Sequence, residues 1–180
     1  MVRRGHEIGS HSVSHKHSED RRYRPAHDRE YDAQHEAEES KRLIQDRMSQ
    51  VKMDSSFCYP FCGKGGGLRE AVEAAGYKQA RAGSGGAHYR IGDSLDYFDV
   101  DCRLIGQHEN VANWKYPGDS WHVLMFHGIG SDADGWQPIS PEEFAREMSE
   151  LAAYRDAGEV EILTFADAAE RMRAANQAGH

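Results

Sequence analysis

The chain has 180 residues, with 22 Lys plus Arg against 30 Asp plus Glu, a formal net charge of −8 and a mean hydropathy of −0.81. That acidic balance argues against non-specific binding to nucleic acid or anionic membranes, which needs an excess of positive charge. No apolar run approaches the ~20 residues of a membrane helix, and the three cysteines are too few for a disulfide scaffold. One domain of ordinary size, residues 1–180, with a modest core is what this length allows.

In chain order, His6 to Gly9 reads as a short strand that begins abruptly, with no cap or lead-in loop before it. Residues 16–28 are charged and rich in His and Arg, which suits a solvated loop. From Asp28 to about Gln50 the residues Ala33, Ala37, Ile44, Met48 and Val51 recur at helical spacing, and Glu36, Glu38, Glu39, Lys41 and Arg42 are expected on the opposite, solvent face. A strand from about Val51 to Tyr59 ends at Pro60. Gly63 and Gly65 to Gly67 make a turn, and a second helix with Leu68, Val72 and Ala75 on one side stops at Gly76. Tyr77 to Arg81 suits a further short strand.

The stretch from Gly83 to Asp119 carries a Gly/Ser loop and one strand around Tyr97–Leu104. Trp121 to Phe126 is a near-continuous apolar run, as expected of a strand buried on both faces. Ser140-Pro141-Glu142-Glu143 is a helix start in which Ser caps, Pro takes the first helical position and Glu143 closes a capping box. Phe144, Met148 and Leu151 form the inner stripe of that helix, and Gly158 ends it. Val160 to Leu163 reads as a strand, and Thr164 with Asp167 as the cap of a last helix to about Ala175. Alternation of strands and helices points to an α/β fold with mainly parallel strands.

Chemistry concentrates in His11-Ser12-Val13-Ser14-His15. Two imidazoles four residues apart meet one divalent ion if the segment makes a helical turn, because i and i+4 share a face. His6 and His17 do not fit that face and read as structural or solvated. Cys58 and Cys62 flank Pro60 at a spacing that is neither a zinc ribbon nor a thioredoxin motif, and read first as small buried residues, then as a disulfide or ligand pair. The glycines at 63–67 lack the spacing of a phosphate loop, and the serines beside the histidines lack a G-x-S-x-G elbow.

The run Gly5-His6-Glu7-Ile8-Gly9-Ser10-His11-Ser12-Val13-Ser14-His15 closely resembles the second motif of the polysaccharide deacetylases, the NodB-homology carbohydrate esterases. Phe57-Cys58-Tyr59-Pro60-Phe61 resembles their third motif in its F-x-Y-P form. Val123 to Ile129, ending its strand at His127, is similar to the fifth, and Gly135-Trp136-Gln137-Pro138-Ile139-Ser140 is similar to one branch of the family.

The resemblance implies an incomplete (β/α) barrel and a metal-dependent hydrolase removing acetyl groups from N- or O-acetylated carbohydrate. His11 and His15 would hold the metal, zinc first, with cobalt or another divalent ion as alternatives. His127 would be the general acid, the Phe61 backbone N–H an oxyanion donor, and Tyr59 and Pro60 would contact substrate. The family's T-F-D-D motif, which supplies a third ligand and the general-base aspartate, is not found in these residues. Its first strand–helix unit is therefore expected to be missing, leaving a chain that is poorly stable and catalytically weak or dead. Asp99 or Asp101 could stand near the fourth motif; otherwise Asp93, Asp96, Asp99 and Asp101 form a solvated acidic segment. Also open at this point are a non-catalytic relative that binds carbohydrate or metal, and a His-rich metal-binding module. Location and oligomeric state are not legible in these residues.

Overall fold

A computed structural model describes residues 2–19, 31–48, 56–83, 85–86, 88–106, 110–111, 118–130 and 138–178. The chain divides into two compact units. The first comprises Met1–Gly83, Ser94–Val100 and Thr164–Arg171; the second comprises Ser84–Asp93, Asp101–Leu163 and Met172–His180.

In the first unit, α1 (Ala33–Arg47) starts at Asp32, whose side chain accepts from the His35 N–H at 3.0 Å. This is the satisfied first-turn donor that an aspartate cap provides. Strand β1 (Ser56–Cys58) pairs in parallel with β2 (Gln79–Arg81). Parallel bridges add Ser10 beside Phe57 and Val100 beside Arg81. Four chain segments thus lie side by side in the order Ser10, β1, β2, Val100. The helix α2 (Leu68–Ala74) buries Leu68 and Val72, and Gly76, at φ +76°, follows it in the left-handed conformation that ends helices. The core gathers Phe57, Tyr59, Leu68, Val72, Tyr77 and Ala80. Phe57 makes edge-on contacts with Tyr59 and Tyr77 at centroid distances of 5.4 and 5.3 Å, a geometry the ring quadrupole favours.

The second unit contains β3 (His88–Arg90), β4 (Arg103–Ile105), β5 (Ser120–His122), β6 (Leu124–Phe126), β7 (Gly128–Ile129), β8 (Pro138–Ile139) and α3 (Pro141–Asp156). The β3–β5 pair is antiparallel, while β4–β6 and β7–β8 are parallel. The capping box of α3 forms as its sequence dictates, with Ser140 Oγ accepting from Glu143 N–H at 3.1 Å and the Glu143 carboxylate taking Ser140 N–H. The last helix, α4 (Phe165–Ala178), has its first half, to Arg171, in the first unit and the rest in the second; Thr164 precedes it, and its Oγ1 accepts from Asp167 N–H at 3.1 Å.

Mixed helices and small sheets, three of the four strand pairs parallel, agree with an α/β class; no closed barrel forms among the described residues. Several expectations change. His6–Gly9 is not a strand, and only Ser10 bridges. The α1 helix runs from Ala33 to Arg47, inside the span expected; residues 28–30, 49 and 50, at the edges of that span, lie outside the described residues, as do residues 51–55 of the expected strand. The strand expected over Tyr97–Leu104 is a bridge at Val100 followed by β4. Trp121–Phe126 is two strands, half-buried throughout, because its halves take different partners: β5 joins β3 and β6 joins β4. Val123 lies between them, and its carbonyl accepts from Arg103 N–H at 2.8 Å. Val160–Leu163 forms no strand, and Glu161, Ile162 and Leu163 are exposed.

Candidate functional site

The two histidines come together, though not on a helix. Residues 11–15 form a bend in which Ser12 and His15 adopt left-handed backbone at φ +68° and +53°. This bend, in place of the helical turn expected, brings the two rings to a centroid distance of 4.8 Å, edge to face. His11 Nδ1 lies 2.7 Å from the Cys58 carbonyl. A carbonyl only accepts, so Nδ1 carries the proton, and in the neutral ring Nε2 keeps its lone pair, the arrangement typical of a ligating or basic imidazole.

What shapes the bend is Glu36, which the helical pattern placed toward solvent. It is 3% exposed. Its carboxylate accepts from the Val13 and Ser14 N–H groups, both at 2.9 Å, and from Ser14 Oγ at 2.5 Å. Burial works against the charge, but hydrogen bonds from Ser14, Val13 and Ser12 outweigh it and hold the carboxyl below the ordinary glutamate value. Beside it, Ser40 Oγ meets Ser10 Oγ at 2.5 Å, so α1 grips the segment just before His11 as well.

The facing loop is Tyr59 to Gly63. Pro60–Cys62 is a tight turn in which Phe61 and Cys62 are left-handed at φ +54° and +59°. A bulky residue in that region costs about 1–3 kcal/mol and persists only where its surroundings enforce it. Phe61 is 46% exposed. Its ring lies 4.7 Å from that of His15 and stacks on His17 at 5.4 Å. Four of the five non-glycine residues with positive φ among those described, Ser12, His15, Phe61 and Cys62, belong to these two loops. Tyr59 and Pro60 are both buried, and Tyr59 belongs to the core, where burial pushes its phenol well above the ordinary range. Both side chains lie beneath the turn and support it.

The turn glycines belong to this arrangement. Gly66 sits at φ +60°, and a Cβ there would come 2.6 Å from the Ser18 carbonyl oxygen. Cys58, before the turn, and Cys62, within it, are free thiols, and both contact the guanidinium of Arg81.

His127 lies in the second unit, directly after β6, and is exposed. Asp96 and Asp99 are committed to ion pairs with Arg69 and Lys64, while Asp101 accepts from the Gly85 and Cys102 N–H groups, both at 2.9 Å. Arg69 holds the Asp96 carboxyl below its ordinary value. Among the described residues no group of three His, Cys, Asp or Glu is placed to hold a metal ion. The imidazole pair fits two positions of such a site; the described residues do not fill a third. Sequence reasoning missed Glu36, Arg81 and the stacking of His17 on Phe61. The first was hidden because an acidic residue on a charged helix looks solvated until a loop folds over it.

Residues 1–80 match the family model described as polysaccharide deacetylase. The matched stretch contains both loops of the site, α1 and β1, and agrees with the likeness read from His6–His15 and Phe57–Phe61. No curated protein and no solved structure matches the chain. Among the described residues no helix is long and apolar enough to cross a membrane.

Proposed function

We propose that the chain acts on acetylated carbohydrate, as a hydrolase that removes acetyl groups from N- or O-acetylated sugars, with the His11–His15 pair and the Phe61 turn as its reaction site. The observation that supports this best is the concentration of left-handed backbone in the two loops that meet at His15 and Phe61. Strain of that kind is maintained where it serves a site.

The roles divide as follows. His11, its Nδ1 fixed on the Cys58 carbonyl, presents Nε2 as a donor, and His15 presents a second imidazole beside it. A divalent ion such as zinc, when bound, would polarise the acetyl carbonyl and acidify a water. The turn at Phe61 offers its backbone N–H to the oxyanion that forms when water adds to that carbonyl. His127 is the proposed general acid, which protonates the departing amine or alcohol as the C–N or C–O bond breaks and acetate leaves.

Three carboxylates among the described residues are committed elsewhere. Glu36 spends its oxygens on the loop, and Asp96 and Asp99 are paired. Turnover by this chain is therefore proposed to be slow. The absence of a three-ligand cluster among the described residues favours a second reading, a relative that binds sugar or metal without turnover.

Assay of the full chain with added zinc or cobalt, on N-acetylated oligosaccharide and O-acetylated xylan, separates the two. Slow metal-dependent acetate release that disappears in His11→Ala and His15→Ala is the expected result. Metal binding without release favours the second reading. Release that survives both substitutions contradicts the site.

A further inference from the structure

Arg81 differs in its partners from three other cations of the first unit. Arg42 pairs with Glu39 and Asp46, Lys64 with Asp99, and Arg69 with Asp96 and Glu73. Arg81 is half-buried, and no carboxylate among the described residues pairs with it. Its side-chain partners are two sulfurs: Nη2 meets Cys58 Sγ, and Nη1 lies 3.4 Å from Cys62 Sγ. Sulfur is a weak acceptor. A guanidinium with five donors in a planar fork is thus held in partly desolvated surroundings with poor acceptors, an arrangement that an anion improves.

The position matters as much as the vacancy in charge. Arg81 is directly opposite Cys58 in the β1–β2 register. The Cys58 carbonyl is the group that fixes His11, and Cys62 directly follows Phe61. The guanidinium therefore touches the Phe61 loop at Cys62 and is one residue, Cys58, away from the His11 loop. The fork geometry suits an oxyanion such as a carboxylate, which it engages through two parallel N–H···O bonds.

We propose that Arg81 is an anion-receiving residue of this site and takes a carboxylate, namely the acetate set free by deacetylation. That the ligand is an oxyanion comes from the guanidinium fork and the weak sulfur acceptors beside it; its identity as acetate rests on the function proposed above. Occupation exchanges two sulfur contacts for a charge-assisted pair and makes acetate a product that the site retains.

The test is a titration of isotopically labelled acetate into the full chain, read by nuclear magnetic resonance, with no substrate present. Saturable binding is expected in the wild type. Arg81→Met should weaken it on the order of tenfold or more, and Arg81→Lys several-fold, because lysine keeps the charge but not the fork. His15→Ala is the comparison within the site, and a smaller loss than that of Arg81→Met is expected there. Circular dichroism checks the fold of each variant, and if Arg81→Met unfolds, the lysine variant decides. No binding by the wild type, equal affinity in wild type and Arg81→Lys, or equal loss in His15→Ala overturns the proposal. The last of these would place acetate on the imidazoles or on an ion they hold. The two ideas fail separately: Arg81-dependent acetate binding in a chain that deacetylates nothing supports this inference and sinks the proposed function. Arg81-independent binding in an active chain does the reverse.

Discussion

Each unit contains a glutamate buried on a helix, and the two are used differently. In the first unit Glu36 takes two backbone N–H groups and a hydroxyl from the bend between His11 and His15. In the second, Glu147 on α3 is 2% exposed and accepts from the Val111 N–H at 2.7 Å, with the exposed Arg146 3.5 Å away. Both obey the rule that a buried carboxylate must find donors. Glu36 finds them in a loop with left-handed residues at Ser12 and His15, whereas the left-handed non-glycine described in the second unit is Asp119, away from Val111 in sequence. A saturated carboxylate can hold a strained loop in shape; one backbone bond anchors a loop without dictating its conformation.

The sharpest way to break this contrast is to remove each carboxylate. Glu36→Ala strands several loop donors at once and should cost about 3 kcal/mol of stability, while Glu147→Ala strands one backbone donor and should cost about 1–2 kcal/mol. Chemical denaturation of the two variants measures both, and equal losses would erase the distinction. Gly66→Ala should cost about 2 kcal/mol, since it adds a left-handed alanine whose Cβ meets the Ser18 carbonyl. Acid sharpens the comparison further. The Glu36 carboxyl is depressed in the folded state, so its contribution is complete above the unfolded glutamate value and is lost as pH falls through the lower, folded one. A stability profile of the wild type should therefore decline across the acidic range below the ordinary glutamate value, and Glu36→Gln should flatten that decline. Smallest is Ser140→Ala, which removes the cap of α3 for about 1 kcal/mol, read from the thermal midpoint.

How much of this was legible depended on sequence distance. The Ser140 box needed four adjacent residues, and Leu68 with Val72 needed one helical turn, so local rules sufficed. His11, His15 and Phe61 were legible as a short pattern, although the bend that joins the imidazoles was not: its two left-handed residues are a serine and a histidine, neither of which signals that conformation as glycine would. Glu36 lies 22 residues from Ser14, and Arg81 lies 23 from Cys58. Their roles arise only when the chain folds back. Trp121–Phe126 misled because an apolar run says nothing about a change of strand partner halfway along. Val160–Leu163 misled because β-branched residues suit a strand only where a neighbouring strand is available to pair.

The claim that carries most weight is that Glu36, through its hydrogen bonds to Val13 and Ser14, sets the geometry of the His11–His15 pair. Calorimetric titration of zinc into the full chain, wild type against Glu36→Gln, tests it directly. Glutamine keeps the volume but loses the charge and one of the two acceptor oxygens. Zinc binding by the wild type that depends on His11 and weakens on the order of tenfold in Glu36→Gln, with the fold intact by circular dichroism, is the predicted result. Equal zinc affinity in the two proteins, or no zinc binding by the wild type, would contradict it.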